Sequence, residues 1–84
     1  MEANTYILTF PGTGSSIKAE ALLTAAGVIP GVMPLPGAIR AGCGIALRVL
    51  ADKLGAARAV LEDGGIETVV YRKESTVNEY ILVI

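Results

Sequence analysis

The sequence contains two units of similar length, each with the pattern of a β-strand followed by a helix that ends at glycine. We predict the strands at Thr5–Phe10 and Ile45–Leu50, and the helices at Ile17–Ala26 and Lys53–Asp63. The strand segments are rich in large apolar residues, and the helical segments repeat apolar residues along one face. A chain with two such units can place both helices on one face of a single sheet.

Three further extended segments complete this pattern. Val28–Pro36 contains three prolines that withhold backbone donors, so we predict a sheet edge or a polyproline-like course there. Ile66–Tyr71 has the pattern of a strand, and Val77–Ile84 is a further apolar extended run. The order predicts an α+β fold with the ferredoxin-like split βαβ layout (β-α-β-β-α-β), an antiparallel sheet and a C-terminal strand-like extension.

The 84 residues are predicted to form a single domain, with a core at 5–74 and a C-terminal extension at 75–84. Two interpretations of Val77–Ile84 stay open: a fifth strand of the chain's own sheet, or an edge through which the chain forms a homodimer. The strand Thr5–Phe10 is apolar on both faces. We therefore expect a partner subunit or the extension to cover the second face of the sheet.

Composition excludes several classes of protein. Apolar residues make up 52% of the chain and charged residues 18%, which excludes a disordered protein. No apolar run reaches the roughly 20 residues of a membrane span, and the start of the chain lacks the pattern of a signal peptide. The net charge of −1 argues against a general nucleic-acid binder. We expect a cytoplasmic protein that binds neither nucleic acid nor a membrane.

A glycine-rich turn follows the first strand at Gly12–Ser16, and such turns can hold phosphate at the start of a helix. The turn has neither the G-x-G-x-x-G spacing nor the lysine of a P-loop, so we favour turn and capping chemistry. With one cysteine and no histidine, a single chain cannot build a tetrahedral sulfur/nitrogen metal site. We predict no cofactor and no metal site.

The only cysteine, Cys43, lies between Gly42 and Gly44. The two glycines remove side chains that would otherwise crowd the sulfur, and they allow a sharp turn or a close backbone approach. Because the chain has no histidine, a nucleophile activated by an imidazole base is excluded. Cys43 is therefore the best candidate to carry any chemistry, as the predicted catalytic residue.

The neighbours of Cys43 favour a negatively charged sulfur. No Asp or Glu occurs from Ala21 to Ala51, whereas Arg40 and Arg48 flank the cysteine. Positive neighbours, and a loop that points backbone N–H groups at an anion, favour a thiolate or a terminal persulfide. The predicted binding residues around Cys43 are Arg40, Gly42, Gly44 and Arg48.

A structural role for Cys43 stays open as well, because cysteine often packs as a small apolar residue. If the strand at Ile45–Leu50 began early enough, Cys43 would lie on the face of Ile45 and Leu47 and fill the core. Arg48 would then point away from the sulfur, and Arg40 would be the nearer charge.

The sequence resembles a small bacterial domain family, DUF3343, described as selenium/sulfur carrier protein-like. The residues that carry the resemblance are Tyr6–Phe10, Lys18–Glu20, Pro34–Pro36 and Ile39–Arg48. The resemblance implies that sulfur or selenium is carried on Cys43 and that Gly42 and Gly44 shape its loop. Two features depart from the family pattern: the turn at Gly12–Ser16 and the apolar chain after Ser75.

These observations predict a sulfur or selenium carrier rather than a turnover enzyme. Cys43 would accept the chalcogen from a donor protein, as a persulfide or selenopersulfide, and pass it to an acceptor protein by thiol exchange. The alternative is a non-catalytic interaction or regulatory module that dimerises through the extension and whose cysteine only packs. A third interpretation is a thiol sensor that forms disulfides between chains.

Overall fold

The computed structural model describes residues 5–37, 39, 42, 44–73 and 80–83. The elements are β1 (Thr5–Thr9), α1 (Thr13–Ala25), β2 (Gly31–Pro34), β3 (Ile45–Leu50), α2 (Ala51–Asp63), β4 (Val69–Lys73) and β5 (Tyr80–Leu82). All strands pair antiparallel in one sheet of order β2-β3-β1-β4-β5. The first four strands have the order 2-3-1-4 of a ferredoxin-like fold, which confirms the predicted fold class. Within the described residues, neither helix has the length and apolar content to cross a bilayer.

Both helices pack on one face of the sheet, where they form the larger core. Alternation along β3 places Leu47 and Val49 in this core, while Arg48 between them is exposed. The buried residues of this core are Leu8, Phe10, Ala19, Leu23, Val28, Leu47, Val49, Ala57, Leu61 and Val70. Each helix contributes two buried residues four positions apart, and this spacing decides which face of the helix packs on the sheet.

The opposite face of the sheet is covered in part by the connection between β2 and β3. Ile39 from this connection packs with Ile7 and Ala46 of the sheet, and all three are buried. A hydrogen bond of 3.0 Å from the Ile39 N–H to the Pro36 carbonyl turns the connection back over the sheet. The sequence did not predict this contribution of the chain's own connection, and cover by a partner subunit or by the extension stays a prediction.

Helix α1 begins at Thr13, earlier than the predicted start at Ile17. The stretch interpreted as a turn before the helix is its first turn, since the Ser16 N–H donates to the Gly12 carbonyl at 3.2 Å. The Ser16 hydroxyl donates to the Thr13 carbonyl at 2.7 Å, so it bonds within the helix and does not cap its start. Ser and Thr near a helix start are weak markers of the boundary, because their hydroxyls can either cap the helix or bond to a carbonyl within it.

Both helices end at a glycine in the left-handed conformation, as the sequence predicts. Gly27 has a φ of +87° and Gly65 a φ of +70°. The residue after each glycine donates its N–H back into the helix at 2.9 Å, from Val28 to Leu23 and from Ile66 to Leu61. Because Ile66 completes the end of α2, β4 begins at Val69 and not at the predicted Ile66.

The two edges of the sheet are β2 and β5. The position of β2 confirms the edge that its prolines predict. β5 pairs with β4 of the same chain, and a 2.8 Å hydrogen bond from the Val83 N–H to the Val70 carbonyl continues this pairing. The interpretation as a fifth strand of the chain's own sheet is confirmed for Tyr80–Leu82. A homodimer through residues 77–84 stays a prediction, and part of that range lies outside the described residues.

Candidate functional site

The predicted site lies on the connection between β2 and β3. Gly42 and Gly44 are described, whereas Arg40 and Cys43 lie outside the described residues. Gly42 approaches Pro11 so closely that a Cβ atom on it would overlap the Pro11 carbonyl oxygen and lie 2.9 Å from the carbonyl carbon. Since backbone atoms cannot move aside as a flexible side chain can, this contact requires glycine. The connection is therefore fixed to the end of β1 at Gly42.

Gly44 is held in a different way. Its carbonyl accepts a 2.9 Å hydrogen bond from the Leu35 N–H, which extends the pairing of β2 and β3. Apart from its chain neighbours, no described residue lies within 4 Å of the position that a Cβ atom on Gly44 would take. Of the two glycines that flank the cysteine in sequence, only Gly42 is required by a close contact among the described residues.

The contact between Gly42 and Pro11 lies beside the start of α1. Gly12 occupies the N-cap position of this helix, no side chain caps it, and no acidic residue lies in its first turn. The first N–H groups of a helix have no partner within the helix and carry a partial positive charge. Gly42 is therefore positioned next to the positive end of a helix dipole.

A cavity of about 210 Å³ opens beside Gly42, between the ends of β1 and β4. Its walls include Thr9, Pro11, Gly42, Glu67, Thr68 and Tyr71. The Thr9 hydroxyl donates to the Val69 carbonyl at 3.0 Å, and the Thr68 hydroxyl donates to the Thr9 carbonyl at 2.9 Å. Because both hydroxyl protons are already bonded within the protein, the described wall presents chiefly apolar surface and the carboxylate of Glu67.

Arg48 lies on β3 opposite Gly31, to which it is paired across the strands. Its guanidinium extends over Gly31, with Nη2 at 3.1 Å from the position that a Cβ atom on Gly31 would take. Along β3, the step from Gly44 to Arg48 covers about 13 Å at the usual rise per residue. The structure therefore does not place Arg48 beside the two glycines, and its role near Cys43 stays a prediction.

The sequence analysis did not identify Pro11, Thr9 or Thr68 as parts of this site. The pair Pro11-Gly12 marks the end of a strand, but no local pattern tells which connection will pack against it. The two threonines read only as strand residues. Within the described residues, no group of three or more His, Cys, Asp or Glu side chains is arranged to hold a metal ion.

Fold and site together define a ferredoxin-like domain with a cysteine-containing connection fixed at one end of its sheet. A family model described as "Putative Se/S carrier protein-like" matches residues 5–71 of the chain. The chain belongs to this family, which confirms the resemblance seen in the sequence. The match begins with β1, ends within β4 and does not include β5. No curated protein and no solved structure matches the chain significantly.

Proposed function

We propose that this protein carries sulfur or selenium on Cys43, which takes the chalcogen from a donor protein and passes it to an acceptor protein. The proposal is supported by the family and by the contact that fixes Gly42 against Pro11. Residue 43 is bonded to Gly42 and Gly44, and both of these are held where β1 ends and β3 begins. The proposal assigns the exchange to the end of the sheet at which these two glycines lie.

The start of α1 supports a charged sulfur at this end. A helix N-terminus stabilises a nearby anion by roughly 0.3–1 kcal/mol, and it favours the thiolate of a cysteine over the thiol. Neither a side-chain cap nor an acidic residue in the first turn competes for these N–H groups in α1. Both the resting thiolate and the loaded persulfide are anions, so the same N–H groups suit both states of a carrier.

The proposed step is an exchange in which no external oxidant or reductant is needed. The Cys43 thiolate attacks the outer chalcogen atom of a persulfide or selenopersulfide on the donor. A new bond forms between that atom and the Cys43 sulfur, and the bond to the donor sulfur breaks. The electron pair of the broken bond leaves with the donor as a thiolate. The same exchange in reverse order delivers the atom to the thiolate of the acceptor.

This step requires a donor protein to reach the Gly42 end of the sheet. The cavity of about 210 Å³ beside Gly42 provides a chiefly apolar surface there, with its threonine hydroxyls already bonded. Apolar surface next to a reactive group suits contact with another protein, because water is readily displaced from it. We therefore place the surface that meets donor and acceptor around Pro11 and Tyr71.

The test is intact-protein mass spectrometry after incubation with a cysteine desulfurase and cysteine, repeated with selenide. The expected result is an adduct of one sulfur or selenium atom on the wild type and none on Cys43→Ser. The adduct should leave when an acceptor thiol protein is added. No adduct on the wild type, together with a thiol that reacts only after unfolding, would establish the interaction module with a packed cysteine instead.

A matched pair of variants tests the contact that supports the proposal. Gly42→Ala should slow loading of the folded protein, because a Cβ atom there must displace the connection from Pro11. Gly44→Ala should load at the wild-type rate, since a Cβ atom there meets no other described residue within 4 Å. Equal loading rates for both variants would show that the anchoring of Gly42 has no part in the exchange.

A further inference from the structure

A second cavity, of about 460 Å³, opens at the end of the sheet remote from Gly42. It lies between the connection from α1 to β2 (residues 27–30) and the junction of β3 with α2. Arg48, Leu50 and Lys53 line it from the side of β3 and α2. We call this cavity the β3–α2 groove. A volume of this size falls within the roughly 300–1,000 Å³ of ligand-binding clefts.

Two cations in the groove have no partner among the described residues. Among the residues that the structure describes, neither the Arg48 guanidinium nor the Lys53 ammonium forms a hydrogen bond or an ion pair. Arg48 can extend into this position because Gly31 below it has no side chain. Asp52, the neighbouring carboxylate, is exposed and is not among the described residues that line the groove. The groove therefore presents net positive charge.

The start of α2 adds to this positive charge, and the last carbonyls of α1 are already hydrogen-bonded. The carbonyls of Leu22, Leu23 and Thr24 at the end of α1 already accept hydrogen bonds from the backbone of residues 26–28, so they are not available to the cations. Lys53 lies in the first turn of α2, where a positive side chain is unfavourable beside the positive end of the helix dipole. An anionic group in the groove would relieve this unfavourable interaction.

Large apolar side chains flank the two cations. Ile29 is 73% exposed and Leu50 is 51% exposed, although large apolar side chains are more often buried in a core. Exposed apolar residues next to charged ones are typical of surfaces that dock another protein. Pro30 and Pro34 withhold donors along this edge of the sheet, so an added β-strand is disfavoured. Recognition here must come from side chains.

We propose that the β3–α2 groove binds an acidic segment of a partner protein, in which an apolar residue accompanies the carboxylates. The carboxylates pair with Arg48 and Lys53, and the apolar side chain covers Ile29 and Leu50. This inference goes beyond the carrier function, because the groove and Gly42 lie at opposite ends of β3. A partner held in the groove leaves the Gly42 end free for a second protein.

The test is an NMR titration of the isotopically labelled full chain with a short synthetic peptide of alternating glutamate and leucine. Saturable shifts are expected at the amides of Gly31, Leu50 and Lys53, and they should weaken as salt is added. The analogue with glutamine in place of glutamate should bind much more weakly. Because exposed ion pairs contribute little individually, Arg48→Ala combined with Lys53→Ala should weaken binding by roughly tenfold.

A charge-matched control is Lys18→Ala combined with Arg58→Ala, which removes the same charge from residues that do not line the groove. This variant should bind the peptide as the wild type does. Equal binding of the glutamine analogue, shifts that map elsewhere, or equal losses in both double variants would overturn the proposal. Cys43→Ser should bind the peptide as the wild type does. Failed sulfur loading of the wild type, with retained peptide binding, would overturn only the carrier function.

Discussion

At one end of the sheet β1 leads into α1, and at the opposite end β3 leads into α2, because the two central strands run antiparallel. At the α1 end, the described residues of the connection from β2 to β3 pack on the sheet: Ile39 is buried and Gly42 contacts Pro11. At the α2 end, the connection of residues 27–30 leaves Ile29 exposed and a groove open. Two similar strand–helix units thus give one end at which the connection packs on the sheet, beside a cavity of about 210 Å³, and one end with a groove of about 460 Å³. We call these the closed end and the open end.

The difference comes from the connections and not from the strand–helix units. β3 passes directly into α2, whereas Phe10–Gly12 separates β1 from α1 and provides the carbonyl that Gly42 contacts. The connection from β2 to β3, which lies at this same end of the sheet, is also long enough to turn back at Pro36 and reach Ile7. In this fold, a long connection can close the end of the sheet that a short connection leaves open.

The largest expected effect separates two isoleucines, one in each connection. Ile39 is 4% exposed and Ile29 is 73% exposed. Ile39→Ala should lower the free energy of unfolding by about 2–4 kcal/mol, because it empties a packed position. Ile29→Ala should change it by less than about 0.5 kcal/mol. Urea unfolding followed by circular dichroism measures both, and similar losses would contradict the difference between the two ends.

The next effect tests the contact that closes the α1 end. Gly42→Ala should cost about 1–3 kcal/mol, because the added Cβ atom overlaps backbone that must shift. Gly44→Ala should cost nothing measurable, since a Cβ atom there meets no other described residue within 4 Å. Thermal unfolding of the two variants provides the measurement. A larger loss for Gly44→Ala would place the critical contact elsewhere.

Both helices end at a glycine with positive φ, so replacing either glycine should lower the free energy of unfolding by a similar amount. Gly27→Ala and Gly65→Ala should each cost about 1–2 kcal/mol, because both residues adopt a positive φ that alanine disfavours. Gly55→Ala is the control. This exposed glycine lies inside α2 with open space around it, so alanine should raise the free energy of unfolding by about 0.5–1 kcal/mol. Chemical unfolding of the three variants tests this, and a loss for Gly55→Ala would contradict it.

The smallest effect concerns the charge at the open end. Lys53→Glu should raise the free energy of unfolding by roughly 0.3–1 kcal/mol at low salt, because an acidic residue suits the first turn of α2. The gain should shrink as salt is added. Lys18→Glu in the interior of α1 serves as the control and should give a smaller gain. Destabilisation by Lys53→Glu would indicate that Lys53 has a stabilising partner.

The sequence by itself determined the order of elements and the ferredoxin-like class. Alternation in Ile45–Leu50 and glycines after each helix are local signals, because they depend on residues within one or two turns. The motif around Cys43 likewise pointed to the carrier family without any structure. The predicted start of α1 was too late, because the sequence does not show whether the Ser16 hydroxyl caps the helix or bonds within it.

Only the tertiary structure decided how the two ends of the sheet are finished. The contact of Gly42 with Pro11 and the packing of Ile39 on Ile7 join residues that are distant in sequence and follow no period. The pairing of Arg48 with Gly31 across the sheet likewise depends on the tertiary structure, while a role for Arg48 near Cys43 stays a prediction. Periodic patterns show which face of an element is buried, but the course of a connection depends on packing with the whole sheet.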